Sequence, residues 1–151
     1  MKRRFALCAL AALSVPLGLP VMAALQLPQV HVFKSPYCGC CGAWVDHLEA
    51  SGFTVKVTDV DDTTAARKRL GIPDSFGSCH TASVGGYVLE GHVPAEEVKR
   101  MLAEKPLAVG LAVPGMPPGS PGMEVGDRKD PYDVFLISKD GRAAVYAHYP
   151  K

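Results

Sequence analysis

The chain has 151 residues, with 16 Lys and Arg against 15 Asp and Glu, a formal net charge of +1 and five cysteines. Three of the basic residues, Lys2, Arg3 and Arg4, fall at the extreme start, so the remainder is slightly acidic and its net charge is −2. No basic stripe survives that could neutralise a run of phosphates, which argues against nucleic acid as a partner.

The start reads as an export signal. The three basic residues precede an apolar stretch over residues 5–19, and Val21, Ala23 and Ala24 are small enough for a signal peptidase. Pro16, Gly18 and Pro20 interrupt the stretch, which is shorter than the roughly 20 residues of a spanning helix, so cleavage rather than anchoring is expected. Residues 1–23 are then removed, no membrane span remains, and residues 24–151 form one domain in the periplasm. Cys8 lies inside the signal and is not counted among the working thiols.

Alternation over residues 29–33 predicts a first strand ended by Ser35-Pro36. Cys41, Trp44, Val45 and Leu48 then recur at helical spacing within residues 40–50, and Ser51-Gly52 closes the helix. A second strand is expected over residues 53–60 and a short basic helix over residues 63–70, stopped by Gly71-Ile72-Pro73. Its run Arg67-Lys68-Arg69 reads as a solvated face.

After a loop over residues 74–78, strands at 81–84 and 87–90 are joined by Gly85-Gly86, a tight hairpin signal. Pro94 opens a helix to residue 104, with Val98, Met101 and Leu102 inward. Residues 110–131, rich in Gly and Pro, predict a long loop, and strands at 132–138 and 143–149 form a closing hairpin around Asp140-Gly141. The order β-α-β-α-β-β-α is that of a thioredoxin-like α/β fold, here followed by a Gly/Pro-rich loop and a C-terminal β-hairpin.

Cys38 and Cys41 form a Cys-x-x-Cys pair where a strand hands over to a helix. The partial positive charge of a helix N-terminus favours thiolate, which is both a nucleophile and a metal ligand. In a thioredoxin-like arrangement the loop before the third strand packs against this turn, so Cys79, in Ser78-Cys79-His80-Thr81, is expected to reach Cys38, Cys40 and Cys41. Four converging sulfurs suit a soft metal, and thioether or imidazole nearby leans towards copper(I) over zinc. Three cysteines within four residues do not easily address one ion, whereas thiolates bridging several copper ions resolve that geometry.

Two other readings stay open. The Cys38/Cys41 pair could serve a thiol-disulfide oxidoreductase, although extra thiols invite scrambling. The four cysteines could also form two structural disulfides, although the adjacent Cys40 and Cys41 are poorly placed for two unstrained bridges. His80, beside Cys79, and His92, at a strand end, are secondary ligand candidates, as are Met116 and Met123 in the Gly/Pro loop. His31 and His47 read as ordinary surface residues, His148 is open, and Trp44 reads as a core anchor.

The motifs Tyr37-Cys38-Gly39-Cys40-Cys41, Ser78-Cys79-His80-Thr81, Gly86-Tyr87-Val88-Leu89-Glu90-Gly91-His92-Val93-Pro94 and Gly110-Leu111-Ala112-Val113-Pro114-Gly115-Met116-Pro117, with Gly119-Ser120-Pro121-Gly122-Met123-Glu124, together resemble the CopG-like family of small periplasmic copper-resistance proteins. The resemblance runs from about Val30 to the last strand. It implies a thioredoxin-like fold, copper held by Cys38, Cys40, Cys41 and Cys79 with help from His92 and the methionines, and a place in copper tolerance beside other periplasmic copper-handling proteins. It also implies a change of copper oxidation state.

Overall fold

A computed structural model describes residues 26–151, so the expected signal segment lies outside it. The described residues form three helices, a short 3-10 turn and one seven-stranded mixed sheet in the order β2-β1-β3-β4-β5-β6-β7. β1 (Val30–Lys34) pairs parallel with β2 (Val55–Asp59) across the helix α1 (Gly39–Ala50). β3 (His80–Val84) lies antiparallel to β1 on its other side and turns through Gly85-Gly86 into β4 (Tyr87–Glu90). The hairpin needs Gly at both turn positions, whose φ values are 55° and 86°.

The expected loop over residues 110–131 is corrected at its start. Gly110–Ala112 is a strand, β5, parallel to β4 and antiparallel to β6 (Tyr132–Ile137). Gly110 is there because a Cβ would lie 1.8 Å from Val88 O, inside the backbone of the neighbouring strand. β7 (Ala143–Tyr149) completes the expected hairpin with β6.

Strand alternation sorts the core into two faces. Val30, Val32, Ala82, Val84, Leu89, Leu111 and Val134 face α1 and α3 (Ala95–Glu104), meeting Trp44, Leu48, Val98 and Met101. Their neighbours Val88, Ala112 and Ile137 face the other way, onto Ile72 and Leu70 at the end of α2 (Thr63–Leu70). Trp44 and Leu48 are fully buried, and each side chain of that size contributes about 1.5–3 kcal/mol. Asp62 caps α2 by accepting from the N–H groups of Thr64 and Ala65, and Gly71 ends it in the left-handed region.

Candidate metal centre

Four chain segments meet at one end of the sheet, and strand register brings them there. His80, the first residue of β3, lies opposite Lys34, the last of β1, so Cys79 rises beside the turn that carries Cys38. The Gly91 N–H donates to His80 O at 3.1 Å, which sets His92 at the same end. β5 runs parallel to β4, and the Val113 N–H donates to Glu90 O at 2.9 Å, so the Gly/Pro segment also leaves from there.

Cys38 is the N-cap residue of α1, with extended backbone and no capping bond from its side chain. The unpaired amide hydrogens of the first turn make that end partly positive, and no acidic residue offsets them. Cys38 and Cys41 are joined by a disulfide, while Cys40 and Cys79 are free thiols. Cys40 Sγ lies 3.5 Å from Cys38 Sγ and 3.9 Å from Cys79 Sγ. All four sulfurs fall within 4.8 Å of one another, so reduction of the disulfide would leave a four-thiol cluster.

Cys79 belongs to a second donor set as well. His80 Nδ1 is 3.4 Å and His92 Nε2 3.3 Å from its sulfur. His92 Nδ1 donates to Pro121 O at 2.8 Å, and a carbonyl can only accept, so the proton sits on Nδ1 and the neutral ring turns an unprotonated Nε2 towards Cys79. The His92 ring is fully buried as well as oriented. His80 is also fully buried, its ring tilted against Trp44 at 4.4 Å and edge-on to His92 at 4.9 Å, and its Nε2 has no partner among the described residues.

Burial holds His92 below the ordinary histidine range and, with repulsion from His92, lowers His80 to about 3, so both rings are neutral near pH 7. The Cys79 thiol is pushed up to about 12, chiefly by burial, then by Cys40, with the Glu90 carboxylate adding a smaller push. A cation beside the sulfur reverses that balance, so metal capture at Cys79 displaces a proton.

The Gly/Pro segment is packed against this centre. Beyond Pro121, a Cβ on Gly122 would lie 2.7 Å from Trp44 N and 2.8 Å from Cys40 O, and Gly122 has φ +83°. The segment therefore crosses the first turn of α1 at backbone contact. Gly122→Ala should destabilise the protein by about 1–3 kcal/mol and loosen the His92 tether, read as a lower urea midpoint together with loss of the slowly exchanging His92 Nδ1 proton in NMR spectra. Met123 is half-buried, and its backbone closes a turn with Gly119 and Ser120. Met116 is 50% exposed.

Other residues depart from the sequence reading. Arg67 is not on a solvated face: it is 6% exposed and donates from Nε to Glu90 Oε1 at 3.0 Å. His47 is not a bland surface group, because its Nε2 accepts from the Ala95 N–H at 3.0 Å and so supplies the cap that Pro94 cannot. The signal for Arg67 and Glu90 was a carboxylate on the inward face of a strand opposite a basic helix.

Two solved structures, both titled as copper resistance protein copG, match the chain. Form 2 is 48% identical, covers 82% of this chain and 99% of its own, and superposes with a TM-score of 0.78. Form 1 is 47% identical, with 83% and 99% covered and a TM-score of 0.78. This chain belongs to the CopG family of copper resistance proteins. A family model described as "Protein of unknown function, DUF411" matches residues 76–123. That segment holds Cys79, His80 and His92 but not the Cys38–Cys41 turn, so the CopG likeness over the first helix rests on the solved structures. No curated protein matches. Among the described residues no helix is long and apolar enough to cross a membrane.

Proposed function

We propose that this protein is exported to the periplasm, where it binds copper(I) through the thiolates of Cys38, Cys40, Cys41 and Cys79 as part of copper tolerance. The observation that carries the reading is the sharing of Cys79 between a four-sulfur set and a set with two buried imidazoles. Six donors, the shared sulfur among them, exceed what a single tetrahedral ion uses, and soft thiolates with imidazole suit several copper(I) ions better than one zinc. The proposed ligands are the four cysteines, with His92 and His80 beside them. Met116 and Met123 are proposed as lesser thioether donors from the segment that crosses the site. The order of the first seven elements supports a thioredoxin-like ancestry for the sheet.

The test is anaerobic titration of fully reduced protein with copper(I) against a coloured chelator, repeated with zinc(II). More than one copper(I) should bind per chain, zinc should not displace it, and Cys38→Ser/Cys41→Ser should lower both affinity and stoichiometry. Weak, substoichiometric uptake that survives those substitutions would falsify the reading.

The Cys38–Cys41 disulfide favours a second activity at the same place. Closing the dithiol to the disulfide releases two electrons and two protons, enough to reduce two copper(II) ions by one electron each, or one disulfide substrate by exchange. Turnover of a small disulfide or of copper(II) by the reduced protein, lost in Cys38→Ser, would identify which.

A further inference from the structure

We propose that the buried Arg67–Glu90 pair, which is remote from the cysteine helix in sequence, is a positioning device that sets Cys79 relative to His92. The inference rests on the copper-binding reading above.

Cys79 follows a bend held almost entirely through Ser78. The Ser78 N–H donates to Glu90 Oε1 at 2.7 Å, and its hydroxyl lies 2.8 Å from the same oxygen. Arg67 Nη2 donates to Ser78 O, the carbonyl immediately before Cys79, at 3.0 Å. Arg67 Nε closes the set on Glu90 Oε1 at 3.0 Å, and Asp74 lies 3.7 Å from Nη1. Both backbone polar atoms of Ser78 are therefore fixed by one ion pair.

Glu90 ends β4, and His92 follows two residues later, so the carboxylate that holds the Cys79 bend belongs to the strand that delivers the imidazole. The charged contact thus acts on the 3.3 Å separation of Cys79 Sγ from His92 Nε2 alongside the Gly91–His80 backbone bond and the Pro121 tether on the ring. The backbone around the pair is shaped to it. A Cβ on Gly77 would lie 2.9 Å from the Arg67 guanidinium, and one on Gly91 would lie 3.0 Å from Ser78 Cβ and 2.3 Å from Val113 O.

A buried charge pair is weak evidence for stability, since apolar replacements often serve as well, and a positional role accounts for this one better. Glu90 is fully buried, and its Oε2 has no partner among the described residues. The pair is therefore not optimised for its own satisfaction, and what it satisfies completely is Ser78.

The experiment compares Glu90→Gln and Arg67→Lys with Val98→Ala, a core truncation on α3 that serves as a control for general loosening. In reduced, metal-free protein, alkylation of Cys79 is followed by peptide mass spectrometry, with Cys40 as the internal reference. Both Glu90→Gln and the charge-preserving Arg67→Lys should change the Cys79 rate, the former by about tenfold or more because it also removes a carboxylate that pushes the thiol up, and Val98→Ala should not change it. Copper(I) affinity should fall by about tenfold in Glu90→Gln, whereas adding Glu90→Gln to Cys79→Ser should lower it no further than Cys79→Ser alone.

An unchanged Cys79 rate in both latch variants, or an equal copper loss with and without Cys79, overturns the positioning role. If the parent protein takes up no copper, the alkylation arm still decides the latch while the copper reading falls alone. If Glu90→Gln does not fold, the Arg67→Lys rate decides.

Discussion

Cys79→Ser should cost more copper affinity than any other single cysteine substitution, beyond the roughly 10–100-fold that removing an outer-shell partner costs. Its sulfur is the one atom common to both donor groups, 3.9 Å from Cys40, 3.4 Å from His80 and 3.3 Å from His92. Serine keeps the size but replaces a soft sulfur with a hard oxygen, which copper(I) holds poorly. The substitution separates the cysteine turn from the imidazoles, so His92→Ala should do little further harm on top of it. Competition titration of the single and double variants reads this directly. Additive losses would mean that the two donor groups act independently. The metal-free fold should be little affected, because Cys79 is only partly buried and serine keeps its size.

Acidification should destabilise the metal-free protein well before its carboxylates titrate. His80 is held to about 3 and His92 below its usual range, each mainly by burial, whereas both approach 6.5 in the unfolded chain. Above pH 6.5 neither state binds these protons and stability is level. Below it the unfolded chain takes up protons that the native state refuses, so stability falls with pH, at up to about 1.4 kcal/mol per pH unit for each histidine. Against the usual 5–15 kcal/mol of total stability, two units of acid are a heavy loss.

Urea midpoints at pH 8, 6.5, 5.5 and 5 should be flat and then decline, and His80→Phe should flatten the slope. Glu96, held below the ordinary carboxylate range by Tyr149 and Lys151, contributes only below its unfolded value of 4.5, so readings above pH 5 report on His80, His92 and His47, which burial also holds below its ordinary range. An undiminished slope in His80→Phe would assign the effect elsewhere.

The parts of the fold that could be read from sequence were those with a repeating signal. Cys41, Trp44, Val45 and Leu48 recur at helical spacing, and these are the buried residues of α1. Gly85-Gly86 marked the β3–β4 turn because few other residues adopt its positive φ values. β5 escaped because Gly110-Leu111-Ala112 is three residues long, lies between two partners and has no polar alternation to declare it a strand. The cysteines were visible as residue types, and the strand order was enough to bring Cys79 near them.

The surroundings of the site were harder to read. His92 looks like any lone histidine until the Pro121 carbonyl orients it, and Pro121 lies 29 residues away in a segment without periodicity. Arg67 was hidden in a run of three basic residues, of which one turns inward to meet a carboxylate 23 positions on. Contacts of this kind depend on register between strands rather than on local pattern.

The donor atoms come from pieces of chain that are strangers until the sheet has closed, as the 39-residue gap between Cys40 and Cys79 indicates. An extended chain offers a metal only separate short stretches, Cys38–Cys41 and Cys79-His80, so the affinity that depends on their meeting belongs to the finished fold. Each captured ion therefore acts as a clasp on the whole topology, raising the work of opening it with the logarithm of free metal. Loaded molecules should outlast empty ones under proteolysis, so the standing pool of protein would itself track the supply of copper.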